Sequence, residues 1–397
     1  MSKSVVIGLM GAITDNGNMG CVALTYSLIS ALQKACENQG VKSSYIIFEN
    51  TYRPDKIKKM CEQLKINEQD VQWAAIGYIH KFTSIVKYAS RNYKMLREIK
   101  KCDFIVDLTQ GDSFTDIYGM ERFMIYTRIK ELVEKVKVPL VLGPQTYGPF
   151  NEEKNKLYAK KIIENAYMVI SRDQESADYI ASFSDKKVEV TTDLAFLLPY
   201  EKVKKENRDK LKVGINISSL LVKDKIETTE TRFKLTTDYD KYISLLLDKL
   251  NEDKRYEVYL IPHVGEDAGK RFSADYPEFI VCPRFETPIE AKNFIAGMDI
   301  FIGARMHATV AAFSSGVATI PTAYSRKFSG LYNNLGYDCI VDMQKLTTEQ
   351  ALELTMDYIN NYEELIQKRN ICIGEIDKKS EETIQLFERI LTERHGC

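Results

Sequence analysis

"IFIGARMHATVAAFSSGVATIPTAY", residues 300–324, reads as a strand, a helix and a second strand. Ile300, Phe301 and Ile302 form a short apolar run that stops at Gly303, small residues then suit a buried helix, and "VATIPTAY" is apolar again. Such units stack into a parallel sheet with helices on its faces. Arg305 and His307 stand two positions apart where the strand gives way to the helix, and His307 is one of only four histidines. Ligands of open α/β sheets bind beyond the carboxyl ends of the strands, so chemistry is expected at this junction.

The same rhythm runs outward in both directions. In the first half the strand candidates are "SVVIGLMG", "SSYIIFEN", "CDFIVDLTQ", "PLVLGPQT", "MVISRD" and "VEVTTDLAF". Amphipathic stretches separate them; "ALTYSLISALQKACENQG" ends on Gly40, as a helix stop should. The hydrophilic stretch "PYEKVKKENRDK", residues 199–210, reads as a linker. Beyond it "LKVGINISSLL", "YEVYLIPHV", "FIVCPRF", "DIFIGAR", "VATIPTAY" and "CIVDM" repeat the pattern, and from Thr347 the chain turns helical and charged. The expected architecture is α/β: two Rossmann-like domains facing a cleft, residues 1–200 and 208–346, with a helical C-terminal segment, 347–397. A chain of 397 residues exceeds the size at which one core stops growing.

Composition narrows the class. The chain is 44% hydrophobic and 28% charged with a formal net charge of -1, which lacks the basic excess of a nucleic-acid binder. Eight scattered cysteines include no CxxC pair and read as reduced thiols, and no spacing calls for a metal. No apolar run reaches the length of a transmembrane segment.

Several strand ends carry polar residues. At "GARMH" the helix start favours an anion, Arg305 adds a planar charged fork, and His307 adds a group that titrates near neutrality. The plain alternative is an arginine paired with an acidic neighbour beside a core histidine. Lys327 in "AYSRKFSG" offers another cation, or a solvated surface lysine. Arg172 in "SRDQES" is either a clamp on an anion or a partner of Asp173 or Glu175. Asn16 and Asn18 sit in the glycine-bearing first loop, "GAITDNGNMGCVAL", which is not a dinucleotide fingerprint. Asp112 in "DLTQGDSFTD", Gln145 and Tyr147 in "GPQTYGPF", and His263 in "PHVGED" are candidates for binding hydroxyls, with turn capping as the alternative.

Taken in order, "NGNMGCVAL", "QGDSFTD", "GPQTYGPF", "ISRDQES", "TTDLAF" and "IGARMHATVAAFSSGVATIPTAYSRKFSGLYNNLG" resemble the polysaccharide pyruvyl transferase family over most of the chain. The last block is the most specific, joining an RxH pair, a small-residue helix and a YSxK passage. The resemblance implies a GT-B-like fold and transfer of pyruvate from phosphoenolpyruvate onto a sugar as a cyclic ketal, with no cofactor beyond that co-substrate. It implies that Arg305 and His307 are catalytic and that Arg172, Arg305 and Lys327 bind phosphoenolpyruvate. Asn16, Asn18, Asp112, Gln145, Tyr147 and His263 fall to the acceptor, with residues 1–200 expected as the acceptor side and 208–346 as the phosphoenolpyruvate side. Cys21 stands where many members carry an aspartate. The implied acceptor is an oligosaccharide on a polyprenyl-phosphate-type lipid, which places the protein in the cytoplasm or at the inner face of the membrane. A peripheral membrane contact and a homo-oligomer both stay open. The competing functions are a GT-B glycosyltransferase using a nucleotide sugar and a non-catalytic glycan-binding relative.

Overall fold

A computed structural model describes residues 3–76, 85–202, 209–222, 233–265 and 269–395; the side chains of 85–91, 326, 327, 394 and 395 lie outside that description, as does part of the expected linker, residues 203–208. The chain forms two compact units. The first comprises Met1–Asn16, Leu24–Leu197 and Lys378–Cys397, and the second Gly17–Ala23 and Leu198–Asp377. The expected division at residues 200 and 347 differs in two places. Gly17–Ala23 belongs with the second unit, and the C-terminal segment is shared between the two.

The first unit is built on a parallel sheet of β1 (Ser4–Met10), β2 (Lys42–Glu49), β3 (Val71–Ala75), β4 (Phe104–Asp107), β5 (Leu140–Gln145), β6 (Met168–Ser171) and β7 (Val188–Val190). Its order is β3-β2-β1-β4-β5-β6-β7, so the winding reverses between β1 and β4, where Ile7 pairs with Phe104. Every residue of β4, β5 and β6 is buried, which is why these strands are continuous apolar runs. The strand β3 was not anticipated: it lies at the sheet edge and buries only Ala74, so its sequence carries little signal. The helix Met19–Asn38 is followed by Gly40 at φ 63, as expected of a stop.

The second unit repeats the plan with β8 (Leu211–Asn216), β9 (Tyr256–Leu260), β10 (Ile280–Val281), β11 (Ile300–Gly303), β12 (Ala318–Ala323) and β13 (Val341–Asp342). The order is β10-β9-β8-β11-β12-β13, with reversal between β8 and β11. The helix Met306–Ser314 joins β11 to β12 and buries Ala308, Ala311 and Ala312 in a core with Phe301 and Val317. The C-terminal helices are Thr348–Asn360, opened by a Thr347–Gln350 capping box, and Tyr362–His395. Near its end Arg389 donates to Glu189 at 2.8 Å, and Asn38 donates to Glu388 at 2.6 Å. No disulfide joins the described cysteines. Among the described residues no helix is long and apolar enough to cross a membrane.

A buried ion pair fixes the end of β4. Lys130 Nζ lies 2.9 Å from Asp107 and donates to Thr109 Oγ1 at 2.8 Å, and the Thr109 hydroxyl donates to Asp107. Burial pushes the Lys130 ammonium below its usual range, and Asp107 opposes that shift. Removing one partner of such a pair strands the other charge, at a typical cost of about 3–5 kcal/mol. Lys130→Met should therefore lower the unfolding free energy from urea titration by about 3–5 kcal/mol; a value equal to the parent's would show that Asp107 needs no counter-charge.

Candidate active site

The second unit assembles its site on the carboxyl ends of β8, β9 and β11. Asn216, the last residue of β8, is buried and works as a staple. Its Nδ2 donates to the Ile261 carbonyl at 2.9 Å, and its Oδ1 accepts the Arg305 N–H at 3.1 Å. One amide thus ties together the ends of three parallel strands. Arg305 occupies the N-cap of Met306–Ser314 in extended backbone, and its Nη2 donates to Ser219 Oγ at 3.2 Å. Arg305 as a whole is 9% exposed, and it sits at a helix N-terminus, whose dipole favours a bound anion.

His307 is the second residue of that helix, and its imidazole packs on the backbone of Gly20. A Cβ at position 20 would stand 2.3 Å from His307 Nδ1 and 2.9 Å from its Cβ, so only glycine fits unless the ring moves. The approach is set by a short antiparallel pairing. Asn18 bridges Val264, the Met19 N–H donates to the His263 carbonyl at 3.2 Å, and the Gly265 N–H donates to the Gly17 carbonyl at 2.7 Å. Asn18 Oδ1 also accepts the Gly20 N–H at 3.0 Å. The first loop thus clamps His307.

His263 joins this cluster, although it was expected on the acceptor side. Burial pushes its imidazole down to about 3, helped by the like charges of His307 and Arg305. His263 is therefore a neutral imidazole in a region of positive potential. The sites expected to be catalytic, Arg305 and His307, do lie together; Lys327 is the second residue of the helix Arg326–Asn334, but its side chain is outside the description.

In the first unit Arg172 follows β6 and is 6% exposed. Its Nη1 donates to Asp193 at 2.7 Å and its Nε to Thr146 Oγ1 at 2.9 Å, while Nη2 is buried with no acceptor among the described residues. Its acidic partner is neither Asp173 nor Glu175. Asp173 caps the helix Gln174–Ala181 through the Ser176 N–H, and Asp193, from the quoted "TTDLAF", takes the arginine. Gln145 and Tyr147 are corrected to core residues. Gln145 is fully buried and donates from Nε2 to the Asp107 carbonyl at 3.0 Å. The Tyr147 hydroxyl donates to backbone carbonyls, 3.0 Å from that of Ile170 and 3.2 Å from that of Gly143. Asp112 is half-buried and accepts from the Tyr118 hydroxyl at 3.1 Å, and Asn16 is half-buried at the end of the first unit's opening segment. Among the described residues no group of three or more His, Cys, Asp or Glu is placed to hold a metal ion.

Two doubly wound parallel sheets and a helical C-terminal segment define the GT-B class of α/β proteins that includes sugar-nucleotide epimerases and glycosyltransferases. The UDP-GlcNAc 2-epimerase of Neisseria meningitidis, solved with UDP-GlcNAc, matches with a TM-score of 0.56 and 12% identity, over 98% of this chain and 100% of that one. The UDP-GlcNAc 2-epimerase of Methanocaldococcus jannaschii matches with a TM-score of 0.55 and 12% identity, over 90% and 92%. These likenesses establish the fold. Within that class the chain belongs to the polysaccharide pyruvyl transferase family, whose model matches residues 18–326 and takes in Gly20, Arg172, Asp193, His263, Arg305 and His307. It is also 20% identical over 291 residues to the amylovoran biosynthesis protein AmsJ of Erwinia amylovora, covering 68% of this chain and 69% of that protein.

Two outcomes follow from this geometry. Gly20→Ala should displace the His307 ring and shift its imidazole NMR signals while the unfolding temperature stays near the parent's; unchanged signals would mean that the ring is not held there. The second concerns acid. The folded value of His263, about 3, lies below its ordinary 6.5, so as pH falls below 6.5 the unfolded chain takes up a proton that the folded chain refuses. Stability present above that pH is lost on acidification. In His263→Gln the fall in urea midpoint from pH 6.5 to about 4 should be shallower than in the parent; equal slopes would place the acid sensitivity elsewhere.

Proposed function

We propose that this protein transfers the pyruvyl group of phosphoenolpyruvate onto two hydroxyls of one sugar in a polysaccharide precursor, forming a cyclic ketal and releasing phosphate. The observation that carries this reading is the cluster of Arg305, His307 and neutral His263 at the β8–β11 reversal, locked by Gly20. Family membership supports it, and so does a relative named for amylovoran biosynthesis.

Phosphoenolpyruvate carries a phosphate and a carboxylate and is close to a trianion at neutral pH. A fixed guanidinium and a helix N-terminus offer such an anion donors that need no reorganisation. In this reading Arg305 binds the donor two-pronged, and His307, as imidazolium, delivers a proton to the methylene carbon. The resulting oxocarbenium centre at C2 is attacked by one sugar hydroxyl. The C2–O bond to phosphate then breaks, and a second hydroxyl closes the ring. Of the two hydroxyl protons, one balances the methyl group formed and the other leaves on phosphate. Arg172, with a buried Nη2 that has no acceptor among the described residues, is the first unit's candidate anion contact. Lys327 is proposed as a further donor contact, and the acceptor as a sugar carried on a polyprenyl-phosphate-type lipid. No other cofactor enters this scheme.

The test is phosphate release from phosphoenolpyruvate by the purified protein with lipid-linked oligosaccharide, and mass spectrometry of the product for the added pyruvyl ketal. His307→Ala should lower turnover by about 10²–10⁴ while leaving cooperative unfolding unchanged. Arg305→Lys should weaken donor binding about tenfold or more, since a point charge does not replace a planar fork. Parental turnover in a folded His307→Ala variant would refute the assignment, and so would release of a nucleoside diphosphate from a sugar nucleotide with phosphoenolpyruvate left intact.

A further inference from the structure

The first unit contains a cavity of about 390 Å³ that none of the expected site residues lines. It lies at the carboxyl ends of β1, β2 and β4, beside the reversal of strand order, where doubly wound sheets take their ligands. Its volume falls within the range of small-molecule sites. Asp15, Glu49, Gln110, Glu121, Arg122 and Tyr126 contribute to the wall, together with Arg53, the partner of Asp15 at 3.3 Å.

The wall is rigid before any ligand arrives. Arg122 Nη2 donates to Gln110 Oε1 at 2.9 Å and to Ser113 Oγ at 2.7 Å, and the guanidinium lies 5.4 Å from the Tyr118 ring centre. Its Nε–H is buried with no acceptor among the described residues. Gln110 is held at φ 55 between Thr109 at φ 42 and Gly111 at φ 88. Two consecutive non-glycine residues in the left-handed region are costly, and the Lys130–Asp107–Thr109 network holds them there. Across the cavity, Glu49 accepts from the Thr14 N–H at 3.2 Å and from the Thr14 hydroxyl at 2.7 Å, which fixes the loop after β1.

The charges select the ligand. Three carboxylates and two guanidiniums line one small space, so a multiply charged anion would meet Asp15, Glu49 and Glu121 at close range. An uncharged polyhydroxyl compound meets no such repulsion. Carboxylates accept its O–H groups, guanidinium N–H groups donate to its oxygens, and the tyrosine ring and isoleucines offer an apolar wall to its C–H face. We propose that this cavity is a subsite for an uncharged pyranose of the acceptor, separate from the anion cluster built on Arg305 and His307. The assignment rests on the sugar-acceptor reading above.

The whole protein, labelled with ¹³C at isoleucine methyls, reports on the cavity directly, because Ile13 and Ile125 line it. Methyl glycosides of glucose, galactose, mannose and N-acetylmannosamine, and phosphoenolpyruvate, are titrated one by one against these signals, and phosphoenolpyruvate is also titrated by calorimetry. At least one glycoside should shift the Ile13 and Ile125 signals, and phosphoenolpyruvate should leave them in place. Arg122→Ala and the exposed-site variant Glu121→Gln should each weaken that glycoside about tenfold, as loss of a charged hydrogen bond does, with the donor affinity unchanged. The proposal fails if no glycoside moves these methyls up to its solubility limit, if phosphoenolpyruvate moves them, or if both variants bind the glycoside like the parent. Absence of donor binding in the calorimeter would refute the pyruvyl transfer reading alone, since that arm does not involve the cavity.

Discussion

The contact between the His307 imidazole and the bare backbone of Gly20 constrains the second unit's site more than any other. It brings a helix start from the beginning of the chain against a helix start near residue 306, and it does so only because position 20 has no side chain. The pairing of residues 17–19 with 263–265 holds this approach in register, and Asn216 locks the strand ends beneath it. Burial keeps His263 neutral, and the like charges of His307 and Arg305 beside it add to that effect. The closeness of these groups is a consequence of backbone geometry.

The buried cations are held in different ways. Lys130 and Arg172 have carboxylate partners at 2.9 and 2.7 Å, Asp107 and Asp193, both nearly or wholly buried. Arg305 is steadied through a serine hydroxyl and a backbone amide bond to Asn216. A cation paired with a buried carboxylate holds its loop in place. The Lys130 pair accordingly underlies a strained loop, and the field of Arg305 is felt by a neighbouring histidine.

Strands with both faces covered were legible in the sequence because burial on both sides leaves an unbroken apolar run, as in β4, β11 and β12. The edge strand β3 carries no such run and was not. Arg305 and His307 could be picked out from position alone, since a strand end opening a helix is a local pattern. Partner choice is tertiary. Nothing near Arg172 announces that Asp193, rather than Asp173, takes its guanidinium. Gln145 falls at the end of the quoted strand "PLVLGPQT", but nothing in the sequence shows that its side chain turns to the Asp107 carbonyl or that Tyr147 packs edge-on to Phe114. Arg122 and Glu49 gave no signal because the wall they build is assembled from three separate strand ends.

The final helix gives the fold a temporal asymmetry. Phe387, Ile390 and Leu391 are fully buried, and they belong to the unit whose main body ends at Leu197. On the ribosome, roughly 180 residues of the other unit are made in between, an interval on the order of 10–40 s at ordinary elongation rates. Throughout that interval the nascent unit carries an uncovered apolar face and a Glu189 still waiting for Arg389. The half of the molecule that begins to emerge first is thus the half completed last, and its assembly depends on solubility being kept while the second half is translated.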